Sequence, residues 1–434
     1  MKNFLFFALL LLACCFSSCT QRADITLDDT HKVPTPSSNV VGDTSISDSL
    51  ILVHLYQTTE GEDWWKQGGW LHDPLEYWKG VKVEMIDGKK RVVELRLGAN
   101  NLRGEIPVEI GLLSELRALD LKYNYHLKGE IPEELFNLKK LKALYLGFTS
   151  LTGKLSSKIG QLTELDTLSL RTSPWDHFSE EGFEKNELVL QGDLPKEIGL
   201  LKNIRFIDTG YQGFSGSLPM EIGKCCKLEE LDLNSNHFEG KIPASLGQLS
   251  RLKRLQLRNN RFTGTIPEEI GNLTALEVLY LSYNALEGEI PATFGQMKKL
   301  WKLSLAHNRL SGIVPTAMSQ MDALNTVFIS YNQLEGDFPE VLTGRMHKNL
   351  SFVDASYNNF TGNIPVHFGT TFFLEHNRLT GNVPEKYFEN PKLLRDLMPQ
   401  QEGYGFDNLT MEEALLLMPP EEENNPNLID VPFF

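Results

Sequence analysis

Residues Leu252-Lys253-Arg254-Leu255-Gln256-Leu257-Arg258-Asn259-Asn260-Arg261-Phe262-Thr263-Gly264-Thr265-Ile266-Pro267 are one copy of a sentence written five times in succession. Its form is Leu-x-x-Leu-x-Leu-x-x-Asn-x-(Leu/Phe)-x-Gly-x-(Ile/Val/Phe)-Pro, and it closes on Pro243, Pro267, Pro291, Pro315 and Pro339, 24 residues apart. A fixed period of this length predicts a solenoid, in which each unit buries its apolar edge only against its neighbours. Leu255 and Leu257 sit two apart, so both point to one face of a short strand, the interior. Asn260 recurs as Asn236, Asn284, Asn308 and Asn332. A buried amide at a fixed place is tolerable only if its donors and acceptors are paired, which stacked asparagines achieve by bonding the backbone turns above and below. Gly264 allows a sharp turn, and Pro267 fixes φ where no ladder donor is needed.

Outward from this core the anchoring prolines continue at Pro107, Pro132, Pro195, Pro219, Pro365 and Pro384, with Ser156 standing in once. The array is therefore expected over residues 93–387, about 12 turns of 24 residues. Tyr123 to Leu127 holds one extra residue, and the 39-residue spacing from Ser156 to Pro195 implies an insert over 173–187. That insert, with Trp175 and Phe178, is expected to overhang one rim of the sheet, either as part of a functional face or packed on itself.

This pattern is that of leucine-rich repeats, and the Gly-x-Ile-Pro segment resembles the plant-type subclass found in receptor-kinase ectodomains and polygalacturonase-inhibiting proteins. The resemblance implies a right-handed superhelix with a concave parallel sheet and capped ends. Residues 49–92, with a helical apolar run from Leu50 to Tyr56 and then Trp64, Trp65, Trp70 and Trp78, resemble the N-terminal caps of that subclass, without their paired cysteines. Residues 388–434 are expected to be a C-terminal cap, with a capping box at Thr410–Glu413, and an acidic tail.

Residues 1–18 read as an export signal: Lys2, then an apolar core from Phe4 to Ala13 too short to span a bilayer. Phe16-Ser17-Ser18-Cys19 resembles a bacterial lipoprotein signal, which implies acylation at Cys19 and a location at the bacterial outer membrane or cell surface. Residues 19–48, rich in Thr, Ser, Asp and Pro, are expected to be a flexible tether. Cys225 and Cys226 are then the cysteines of the folded part, Cys225 in a leucine position. A disulfide between adjacent cysteines would be strained.

The net charge of −15 and the lack of Lys/Arg runs argue against nucleic acid as a partner. No catalytic motif, metal-ligand spacing or cofactor motif appears, so no catalytic residue, metal or cofactor is expected, and the long open surface argues for binding. The outward positions of each strand stack into columns. One, between the buried leucines, contains Tyr145, Tyr280, Phe328 and Phe373; another, preceding the asparagine, contains Phe148, Tyr211, Tyr283, His307, Tyr331 and Tyr357. With Phe352 and Trp175 these are the expected ligand-binding residues, because exposed aromatics give large contact area at small entropy loss. A column that stacks on itself and only stiffens the sheet is the competing expectation. Between the patches run Asp208, Glu230, Asp232, Arg254 and Arg258, with Glu230 beside Arg254. The expected function is a non-enzymatic, lipid-anchored envelope protein binding a protein ligand, such as a host extracellular-matrix or plasma protein. The resemblance to polygalacturonase-inhibiting proteins makes polysaccharide binding, or inhibition of a polysaccharide-degrading enzyme, the alternative.

Overall fold

The computed structural model describes residues 46–172, 190–343, 346–364, 371–388, 394, 396–410 and 412. Each repeat forms three short segments: an inner strand, a second strand after the asparagine, and a 3-10 turn after the proline. In the repeat quoted above these are Arg254–Gln256, Arg261–Thr265 and Glu268–Asn272. The inner strands join into a 13-stranded sheet, parallel except for its first pair, and the second strands into a parallel sheet of 11. The chain is a leucine-rich-repeat solenoid, mostly β.

Local chemistry dictates each corner. Gly264 adopts φ +72°, a left-handed conformation that side chains rarely accept. Pro267 at φ −62° precedes the 3-10 turn, whose first donor would be unpaired in any case. The residue before each asparagine, or before Thr149 and Gln212 in its place, is also left-handed, although none is glycine: eleven positions, from Ala99 to His376, have φ between 50° and 59°. Inside, leucines and a stack of Phe214, Phe238 and Phe262 fill the core, all fully buried.

Asparagines hold the turns together as their periodicity implies. Asn236 Nδ2 donates to the carbonyls of Thr209, Leu233 and Asn234 at 2.9, 3.1 and 3.2 Å, while its Oδ1 accepts the Phe214 amide at 3.0 Å. Asn260, Asn284, Asn308, Asn332, Asn358 and Asn377 repeat the arrangement. The period ends near Tyr387, but the bonding does not: Gln400 donates to the Leu374 and Leu397 carbonyls and accepts the Leu379 amide at 3.0 Å. A glutamine in an aperiodic segment thus supplies a further rung.

At the other end, the helix Asp48–Thr58 is capped by Ser47, whose side chain accepts the Leu50 amide. Trp64, Trp70 and Trp78 are buried around Tyr56, with indole rings 4.8 and 4.7 Å apart and each indole N–H on a backbone carbonyl. Trp65, expected beside them, is instead 72% exposed. Val81–Ile86 and Lys89–Arg96 form an antiparallel hairpin whose second strand starts the inner sheet, so its edge is covered. The cap chain docks directly on the array, the Lys66 amide donating to Asn100 Oδ1.

Candidate ligand-binding face

The expected site residues fall on the inner sheet in separate groups. Tyr283, His307, Tyr331 and Tyr357 stack face to face with centroids 4.1 Å apart, and His376 extends the row at the same spacing. Adjacent strands lie ~4.8 Å apart, so rings that approach more closely than their strands stand on the concave side of a curved sheet. The left-handed backbone at each of these residues puts all five rings in equivalent places. Burial, a hydrogen bond with Tyr357 and the nearby Glu375 and Asp354 carboxylates push the Tyr331 hydroxyl up to about 12.

A second row lies alongside. Phe328, Phe352 and Phe373 contact one another at 5.1 and 5.4 Å, tilted, and half-buried. Tyr280 joins them through Lys302, whose Nζ lies 5.2 Å from the Tyr280 ring and 5.7 Å from that of Phe328. Between the rows the floor is small and polar: Ser282, Ser330 and Ser356 are buried, and the buried Ser304 lies within the second row, in register between Tyr280 and Phe328. Ser330 and Ser356 hydroxyls donate to Asp354, each at 2.7 Å.

Tyr145 does not join these rows. It belongs to an N-terminal island where Tyr123 stacks on Phe148 at 4.5 Å and Lys122 Nζ lies 5.0 Å from the Tyr145 ring. Tyr211 stands apart again, under the Arg171 guanidinium at 4.9 Å. Trp175 and the rest of the insert, like Cys19, lie outside the described residues.

The charged strip has a centre that the columns did not reveal. Arg171 Nη1 reaches Asp232 at 2.6 Å and Asp208 at 3.3 Å, crossing over Gly210, where a Cβ would lie 2.8 Å from that nitrogen. Gln256 donates to the same Asp232 oxygen. Burial and the Asp232 charge lift the Asp208 carboxyl to about 6, against the pull of Arg171. Arg171 was legible only as the last array residue but one before the insert. Glu230 pairs with Arg254 in register, loosely, at 3.8 Å. Cys225 packs as a small apolar side chain, its thiol pushed up to about 11 by burial, while Cys226 is exposed.

Comparison with known proteins agrees with this architecture. Residues 226–286 match a family model described as leucine rich repeat, and residues 299–321 match a second of the same description. The leucine-rich repeat protein FLOR 1 of Arabidopsis thaliana is 36% identical over 75 residues, 17% of this chain and 22% of that one. The plant peptide hormone receptor RGFR1, solved in complex with RGF2, superposes with a TM-score of 0.63 at 34% identity, covering 68% of this chain and 46% of the receptor. A leucine-rich-repeat protein of Leptospira interrogans superposes with a TM-score of 0.50 at 28% identity, covering 75% of this chain and 82% of that one. The chain thus carries leucine-rich repeats like those of plant receptor-kinase ectodomains, and spans less than half the length of FLOR 1 and of RGFR1.

Proposed function

We propose that this chain is a non-enzymatic binding module that holds a peptide or protein ligand along its concave aromatic face, at the outer membrane or surface of a bacterial cell. The observation that carries the reading is the pair of aromatic rows from Tyr280 to His376, which offers a wide, partly exposed apolar contact area on a soluble fold. The structural neighbour RGFR1, solved with its ligand RGF2, supports a peptide or protein as the class of partner. A host extracellular-matrix or plasma protein fits an exported protein of this kind. Polysaccharide is the weaker alternative, because rings stacked at 4.1 Å turn their faces to one another and present mainly edges to a sugar. Anchoring by a lipid on Cys19 rests on the leader ending Phe16-Ser17-Ser18-Cys19. Two signals usually stabilise a lipid anchor, and multiple acylation of that cysteine would supply them.

The test is a capture screen of purified residues 20–434 against immobilised matrix and plasma proteins beside a panel of polysaccharides. A saturable protein ligand, lost on combined Tyr280→Ala and Phe328→Ala with a nearly unchanged melting temperature, is expected. Capture by glycans alone would refute the reading. For the anchor, metabolic labelling with a palmitate analogue should mark the full chain in a bacterial host and not its Cys19→Ala variant.

A further inference from the structure

The aromatic groups of the concave face share one habit. Lys122 covers Tyr145, Arg171 covers Tyr211, and Arg205 and Arg258 lie 4.7 and 5.1 Å from Phe206 and Tyr283. Lys302 sits between Tyr280 and Phe328. The face supplies its rings with cations from its own chain, as the negative ring quadrupole favours.

Beyond Phe328 the arrangement inverts. Phe328 and Phe373 flank Asp354 in register on the neighbouring strands, and Tyr331 and Tyr357 rise behind it. Here the centre of the aromatic surface is a carboxylate, and among the described residues it forms no ion pair with a lysine or arginine. Asp354 Oδ1 accepts the Ser356 hydroxyl at 2.7 Å and its amide at 3.2 Å, and Oδ2 accepts the Ser330 hydroxyl at 2.7 Å. A carboxylate offers about four lone-pair sites, so one remains, on Oδ2. Burial holds the carboxyl above its usual range although these serines and, more weakly, the nearby His307 imidazole oppose it, so neither the serine hydroxyls nor His307 offset the cost of burying its charge.

We infer that the surface around Asp354, walled by Phe328, Phe373, Tyr331 and Tyr357, receives a basic side chain of the bound polypeptide, a lysine ammonium in preference to an arginine guanidinium. It completes for the ligand what Lys302 does within the chain one interval earlier. A single open acceptor suits a compact point donor, whereas a guanidinium fork seeks two parallel bonds. The inference rests on the proposed polypeptide-binding reading and specifies its chemistry.

The experiment is a selection of phage-displayed random 12-residue peptides on residues 20–434 and, in parallel, on Asp354→Asn, which preserves shape and the acceptor for Ser356, and turns the Oδ2 position into an amide that donates to the Ser330 hydroxyl. Phe373→Leu, which keeps the carboxylate and removes one ring, is a second target, and melting temperatures confirm that both variants fold. Wild type should enrich peptides that share a lysine. Calorimetry should show at least about tenfold weaker binding when that lysine is acetylated. Asp354→Asn should weaken the unmodified peptide to a similar extent and leave the acetylated one unaffected. Enriched peptides without a shared basic residue, or equal affinity for wild type and Asp354→Asn, would overturn the inference and leave the polypeptide-binding reading standing. A shared arginine that binds more tightly than lysine would overturn the stated preference. No enrichment on wild type would overturn both.

Discussion

Asparagine rungs make a quantitative claim about stability. In Asn236→Ala the Phe214 amide loses its acceptor, and the carbonyls of Thr209, Leu233 and Asn234 lose a shared donor. An orphaned buried N–H costs about 1–3 kcal/mol, and two lost N–H donors about 0.5–1.5 kcal/mol each, so the sum centres near 4 kcal/mol. Asn259→Ala is the matched control, one repeat on: its Nδ2 donates only to the exposed Ser235 hydroxyl at 3.1 Å. Its cost should be about 1 kcal/mol, mostly from alanine in a left-handed conformation. Urea unfolding followed by circular dichroism measures the difference. Because solenoid repeats open locally, exchange of the Phe214 amide should report it at the site. A cost for Asn236→Ala within 1 kcal/mol of that for Asn259→Ala would refute the view that these amides hold the turns together.

Three further outcomes are expected. Asp208 binds its proton more tightly in the folded chain than its ordinary value of 3.8 allows in the unfolded one, so its contribution to stability falls as pH rises from 4 to about 6. Asp208→Asn removes that slope, and its melting temperature should gain on wild type across this window and hold a constant lead above pH 7. Trp70→Ala should destabilise by about 3–5 kcal/mol, as large aromatic deletions from a core do, whereas Trp65→Ala should leave the melting temperature almost unchanged. A thiol reagent at pH 8 should label Cys226 rapidly in native residues 20–434 and Cys225 only on unfolding, as peptide mass spectrometry would show.

What the sequence revealed and what it hid divide along physical lines. Asn260, Gly264 and Pro267 were legible because each has a local job that recurs unchanged in every turn. The direction of the outward columns followed from strand alternation, and the register pairs Glu230 with Arg254 as that alternation requires. Gln400 escaped because its role depends on where the chain has travelled, not on a period, and a longer side chain reaches the rung from a different backbone path. Arg171 escaped for a similar reason: its partners lie 37 and 61 residues away, across the insert. The columns listed which aromatics face outward but not how their rings meet. Face-to-face stacking of Tyr283 through His376 depends on the left-handed backbone before each asparagine, which residue types other than glycine rarely announce.

That backbone sets two forces against each other on the binding face. A side chain in the left-handed region costs about 1–2 kcal/mol relative to glycine, and each stacked aromatic pair returns about 0.5–1.5 kcal/mol, with two pairs at an inner ring such as His307 or Tyr331. His307 or Tyr331 can therefore change to glycine or asparagine at little net thermodynamic cost to the fold, although the ring ladder disappears. A lineage selected for heat resistance alone would be indifferent to these rings, and one selected for its ligand would keep them. The surface is thus free to be rewritten one rung at a time on an unchanged scaffold.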